Sequence, residues 1–286
     1  MSSVECTRNC KAYTVPQPIS RIEGLQIHFQ APFEYHRFMV TGGTSGWQPN
    51  HRLVRRILRG LIRILFALLA RVHVEGRENI PASGPLIVAA NHFHFVDPLA
   101  VILAMPWPLD FIGGSHMAFA PAFVRWIPRM WGLHRVRRSG SSRGALREAE
   151  KALREGGILG IFPEGGSWAE VLRPPRPGSA FLATRTQAKI LPVGLDGLPE
   201  VFRSLKRFRR ASITIRVGEP IGPFGSSERG RMGRSNLDET GDKIMRAIAA
   251  LIPPSKRGVY SNDPELRRQA QAIRYPWEDG KLSRSS

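Results

Sequence analysis

Six short apolar runs, separated by helix-like segments, constrain this chain more than any other feature. They are RVHVEG (71–76), PLIVAA (85–90), LDFIGG (109–114), GILGIF (157–162), AKILPVGL (188–195) and SITIRVG (212–218). Several are too continuously apolar for a sheet with one face in water. Helical patterns fall between or after them, at 98–105, 141–156, 181–187 and 236–252. This alternation predicts a single α/β domain with a mixed, mostly covered sheet flanked by helices.

Ahead of that domain, residues 52–70 read RLVRRILRGLIRILFALLA. Arg52, Arg55, Arg56, Arg59 and Arg63 share one arc of about 100° on a helix, and Val54, Ile57, Leu61, Leu65 and Leu68 lie opposite. Arg63 interrupts an apolar stretch far shorter than the ~20 residues a spanning helix needs. The segment therefore reads as an amphipathic helix, suited to an anionic membrane interface or to packing on a core. The expected organisation is a poorly ordered extension (1–50), this interface helix (51–72), the α/β domain (73–252) and a polar tail (253–286) that carries at most a helix at 264–273. Met39 is a candidate start within the extension. Residues 104–131 hold three tryptophans and little charge, which suits either a core segment, a membrane interface or an acyl-chain tunnel.

Charge narrows the partners. Forty-two Lys and Arg against 23 acids give +19, so the expected partner is anionic: a membrane surface, a phosphate-bearing substrate or an acidic protein. No nucleic-acid-binding motif accompanies the charge, and nucleic acid is not expected. Cys6 and Cys10 lack the further ligands of a zinc site, and no secretory signal is visible.

Three stretches carry chemistry-bearing residues. Asn91-His92-Phe93-His94-Phe95-Val96-Asp97 follows the run PLIVAA, where crevices form in open α/β sheets. A His–Asp pair suits general-base work: the imidazole takes a hydroxyl proton and the carboxylate fixes its tautomer. Asp97 followed by Pro98 also reads as a helix N-cap. No serine stands in a G-x-S-x-G context. Ile161-Phe162-Pro163-Glu164-Gly165-Gly166-Ser167 again follows an apolar run and places Glu164 on a tight turn. Gly132-Leu133-His134-Arg135-Val136-Arg137-Arg138 is a basic run ahead of a helix, either a phosphate site or a solvated loop.

In this order NHxxxxD, the G-x-x-x-V-x-R block, FPEG and an apolar-Pro-Val strand resemble the glycerolipid acyltransferase family that includes the lysophosphatidic acid acyltransferases. The likeness runs from about Gly76 to Ile221. It implies that His92 and Asp97 form the catalytic dyad, and that Arg138, Glu164 and Gly165 bind substrate. Ile190, Leu191, Pro192 and Val193 match the fourth block. The implied reaction moves an acyl group from acyl-CoA or acyl carrier protein to a lysophospholipid or glycerol phosphate-type hydroxyl, with no metal and no cofactor beyond that co-substrate. Backbone N–H groups near the dyad would hold the oxyanion. The implied location is peripheral or monotopic, on the cytoplasmic face of a membrane.

The third block departs from the family. Gly166, Ser167 and Trp168 stand where Thr-Arg-Ser usually follows, which removes one arginine; Arg173 and Arg176 are the nearest downstream replacements. The alternatives are another acceptor (glycerol 3-phosphate, a lyso-aminolipid or a glycolipid) or a non-catalytic basic membrane-binding protein. His94 has no implied role beyond packing or hydrogen bonding.

Overall fold

The six apolar runs become neighbouring strands of one sheet. In the computed structural model, described for residues 50–107, 109–114, 131, 133–136, 143–167, 169–225 and 234–273, the chain begins with helix α1 (Asn50–Leu69) and strand β1 (Ala70–Glu75). It continues through β2 (Leu86–Ala90), α2 (Asp97–Ala104), β3 (Asp110–Gly114) and β4 (Leu133–Val136). Then come α3 (Arg143–Arg154), β5 (Ile158–Ile161), α4 (Gly178–Thr186), β6 (Lys189–Asp196) and α5 (Glu200–Lys206). The described part closes with β7 (Ala211–Val217), α6 (Arg234–Ala250) and α7 (Pro264–Ala272).

Among the described residues the sheet has seven strands in the order β1-β7-β6-β2-β5-β3-β4. Every pairing is parallel except β6 with β7, so the sheet is mixed. β2 lies between β5 and β6 and is buried along its whole length. The period of two sends its side chains to both faces. Leu86, Val88 and Ala90 join one core with α1, α2 and α5; Ile87 and Ala89 join the other with α3, α4 and α6. Each large apolar side chain so enclosed contributes about 1.5–3 kcal/mol of burial free energy.

The basic run at 132–138 is not simply a loop, since Leu133–Val136 pair with β3 at the sheet edge. Arg138 lies outside the described residues, as do most of the aromatic segment and the extension that carries Cys6 and Cys10. The stretch from Pro253 is folded as far as Ile273. Backbone bonds from Leu172 N to Lys256 O and from Val259 N to Leu172 O stitch it to the chain behind the FPEG turn.

On α1 the sequence placed the arginine arc opposite the apolar stripe, and the protein uses that arc differently from expectation. Arg55 is buried. Its Nε donates to Trp131 O (2.7 Å), its Nη2 meets Asp110 Oδ1 (2.5 Å), and its guanidinium lies 5.7 Å from the Trp131 ring centre. Arg59 donates to the carbonyls of Met105 and Pro106. These cations dock α1, together with Leu58, Ile62 and Phe66, while Leu53, Ile57, Leu61, Ile64, Leu65 and Leu68 face outward. A polar fork that satisfies backbone carbonyls can be buried where an unpaired charge could not. Among the described residues no helix is long and apolar enough to cross a membrane.

Candidate active site

β2 and β5 run parallel, with Ala89 opposite Ile161, so the chain segments that follow them leave the same edge of the sheet. One carries His92 and the other Glu164. Asn91 fixes the point of departure. Its side chain mimics a peptide: Leu195 N donates to Oδ1 (2.7 Å) and Nδ2 donates to Leu195 O (2.9 Å). The side-chain amide thus extends the pairing of β2 with β6 by one step. Sequence reasoning gave Asn91 no role, because a polar residue past a strand end has no periodic signal.

His92 Nδ1 lies 3.0 Å from Asp97 Oδ2. The same Oδ2 accepts from the backbone N–H groups of Phe93 and His94, both at 2.7 Å. Asp97 is 1% exposed, so its charge is balanced by three converging donors rather than by water. The helix-cap expectation is corrected by this geometry. α2 starts at Asp97 itself, and Val96, at the cap position, makes no side-chain bond. Asp97 turns its carboxylate backward onto the histidine loop.

The His92 ring is held from a second side. Phe162 stacks on it at 4.2 Å and 25°, and Phe111 lies parallel to Phe162 at 6.0 Å. Gly160 makes room for Phe111: a Cβ there would stand 2.6 Å from the ring. The strand glycine, Phe111, Phe162 and His92 therefore form one packed column.

Glu164 was expected to present its carboxylate to substrate from a turn. The turn exists, closed by Gly165 N donating to Phe162 O at 3.0 Å, with Gly165 at φ +77°. The carboxylate, however, points inward and is 2% exposed. Oε1 accepts from His92 N (2.9 Å) and Oε2 from Arg173 N (3.2 Å). Glu164 thus ties the FPEG turn to the histidine loop and to the segment returning at Arg173. The N–H groups of His92, Phe93 and His94 are all engaged by these two carboxylates, so the expected oxyanion donors are not among them.

Of the two downstream arginines, Arg173 is buried and its Nη2 reaches Ile273 O at 2.5 Å. Arg176 is exposed and lies across Gly165, where a Cβ would meet its Cδ at 2.5 Å. His94 packs against Phe95 and Phe202, at 4.4 and 5.6 Å, and its buried Nδ1 has no hydrogen-bond partner among the described residues. Burial lowers its pKa, with smaller opposing pulls from nearby carboxylates.

Burial pushes the Glu164 carboxyl up to about 8, against the two N–H bonds, which favour the charged form. In the unfolded chain it sits near 4.5. Between those values the folded state keeps a proton that the unfolded state has released. Its contribution to stability is full below about 4.5 and is lost as pH rises through about 8. Glu164→Gln, neutral at every pH, is expected to flatten that loss. Wild type should lose on the order of a few kcal/mol relative to the variant from mildly acidic to mildly alkaline pH, at about 1.4 kcal/mol per unit. Denaturant melts across the range measure it, and parallel curves would sink the assignment.

Comparison with known proteins finds relatives of the segment that carries this site. A family model described as Acyltransferase matches residues 71–196, which include both carboxylates and His92. The 1-acyl-sn-glycerol-3-phosphate acyltransferase of Bacillus subtilis (strain 168) is 24% identical over 161 residues, covering 56% of this chain and 78% of that protein. Residues 71–196 thus carry an acyltransferase domain, similar in sequence to that enzyme. The 1-acyl-sn-glycerol-3-phosphate acyltransferase of Borreliella burgdorferi is 32% identical over 151 residues, covering 50% of this chain and 59% of its own length. The crystal structure of PlsC, the 1-acyl-sn-glycerophosphate (LPA) acyltransferase of Thermotoga maritima, shares the fold. Its TM-score is 0.51 at 24% identity, over 70% of this chain and 79% of that one. The seven-stranded sheet therefore has the fold of that structure, and the sequence matches support an O-acyltransferase.

Proposed function

We propose that this acyltransferase moves a fatty acyl group from a thioester, acyl-CoA or acyl carrier protein, to the free hydroxyl of a lysophosphatidate-type acceptor in phospholipid biosynthesis. The observation that carries the reading is the 3.0 Å contact between His92 Nδ1 and the buried carboxylate of Asp97. With Nδ1–H committed to Asp97, Nε2 is the basic nitrogen. It takes the acceptor's hydroxyl proton as the oxygen attacks the thioester carbonyl carbon. The tetrahedral intermediate then collapses, the carbon–sulfur bond breaks, and the imidazolium returns the proton to the departing thiolate. The products are the acylated lipid and the free thiol.

Glu164 acts in this scheme as a positioning residue, since both of its oxygens hold backbone N–H groups. Arg138 remains assigned to the acceptor phosphate by resemblance, and Arg176, exposed over Gly165, is a second cation suited to that charge. The deciding test is thiol release from acyl-CoA and acyl carrier protein against a panel of lysophosphatidate, glycerol 3-phosphate, lyso-aminolipid and lyso-glycolipid acceptors. Turnover with lysophosphatidate at least tenfold above the others is expected; preference for a phosphate-free acceptor would overturn the acceptor assignment.

A membrane surface is the proposed partner of α1. Its six outward aliphatic side chains, flanked by Arg56 and Arg63, are the support for this reading. Leu61→Ser with Leu68→Ser is expected to lower co-sedimentation with anionic phospholipid vesicles at least ~10-fold, since each loses a buried aliphatic group. Undiminished binding would move the attachment elsewhere.

A further inference from the structure

The turn Lys206-Arg207-Phe208-Arg209-Arg210, which joins α5 to β7, places four cations around one aromatic ring, all exposed. Backbone bonds from Phe208 N to Leu205 O and from Arg209 N to Ser204 O close it as a helix-ending motif. Phe208 occupies the left-handed position, at φ +51°. Glycine is the usual occupant there, because a side chain in that conformation is strained. Here the position holds a phenylalanine that is 99% exposed. The ring is therefore unfavourable twice over in the isolated protein, through backbone conformation and through its contact with water. Both costs are offset if the ring enters an apolar phase outside the molecule.

The surroundings indicate which phase. Arg203 is paired with Glu170 and Glu200, whereas Lys206, Arg207 and Arg209 have no carboxylate partner among the described residues. Arg210 donates to Ala67 O (2.6 Å) and Ala70 O (2.7 Å), fastening the turn to the C-terminal end of α1. α1 and α5 cover the same face of the sheet, so their outward sides both point away from it. Phe202 and Leu205 of α5 are also exposed, and Phe202 stacks on Phe95, 5.7 Å away in the histidine loop. An apolar tip ringed by cations and continuous with the aliphatic stripe of α1 matches a bilayer interface: ring among acyl chains, cations among phosphates.

From this arrangement we infer that the 206–210 turn is a second membrane contact, with Phe208 inserting into the bilayer and Lys206, Arg207 and Arg209 binding anionic phospholipid headgroups. The inference rests on the membrane reading of α1 and extends it to the element that touches the dyad loop. The contact would hold that loop against the lipid surface that supplies the acceptor.

The test uses the full chain and vesicles of phosphatidylcholine, alone or mixed with phosphatidylglycerol. Phe208→Ser is expected to weaken partitioning about 10-fold on both vesicle types. Arg207→Gln with Arg209→Gln should weaken it roughly 10- to 30-fold on the anionic vesicles alone, as for two cations leaving a charged surface. All of these side chains are exposed, so thermal melts at the wild-type temperature will confirm intact folding. Wild-type partitioning by both variants, while Leu61→Ser with Leu68→Ser detaches the protein, overturns this inference and leaves the α1 reading standing. Wild-type partitioning by all three removes both readings. Unchanged vesicle binding by the arginine variant, with turnover lost only when acyl carrier protein is the donor, would assign the patch to that acidic protein and likewise overturn the inference.

Discussion

His92→Ala is expected to lower kcat/KM for acyl transfer at least ~100-fold, the range a positioned general base supplies. The loss should fall on kcat, because in the proposed mechanism the ring takes the hydroxyl proton only as the carbon–oxygen bond forms. The substitution also removes the outer member of the column built on Gly160, Phe111 and Phe162. The neighbouring groups stay satisfied, however: the Phe93 and His94 amides keep Asp97 as their acceptor. Folding should therefore survive, and thiol release from acyl-CoA reads the chemistry alone. Full turnover in a folded His92→Ala protein ends the mechanism.

Asp97→Asn is expected to cost more than its size suggests, about 10³- to 10⁴-fold in kcat, as when a carboxylate that fixes a catalytic histidine's tautomer is made an amide. Three donors converge on one oxygen of Asp97. An amide oxygen satisfies two of them comfortably, and the amide's own N–H₂ then favours the histidine tautomer protonated on the wrong nitrogen. Loss of the charge also weakens the bonds to Phe93 N and His94 N, costing about 1.5–3 kcal/mol of stability. The measurement is kcat together with a denaturant melt. A variant less stable by that amount yet near wild type in kcat would show that Asp97 only braces the loop.

Much of this was legible in the residues. The strands were readable because runs such as PLIVAA and AKILPVGL are apolar on both faces, which a covered sheet demands. β4 was not, since a four-residue edge strand rich in basic residues carries no such pattern. α5 was also missed: of its seven residues only Val201 is buried, too little for a helical period to register. The order of His92, Asp97 and Glu164 along the chain was readable, but the direction of their side chains was not. Asp97-Pro98 has the signature of a helix start, yet its carboxylate serves the preceding loop. Glu164 between proline and glycine looked exposed, yet two backbone amides draw it inside. In both cases the partner is a main-chain N–H, and main-chain donors are invisible to residue-type reasoning.

The buried fork of Arg55 has a thermodynamic consequence. Many interfacial helices are unstructured in water and order only on the lipid, so part of their binding energy goes into arranging the chain. α1 is already clamped to Trp131, Asp110, Met105 and Pro106 by Arg55 and Arg59. Its aliphatic stripe is thus presented preassembled, with the ordering entropy met during folding. On the proposed membrane reading, attachment would then be quick and reversible, letting the enzyme leave one patch of lipid and meet the next.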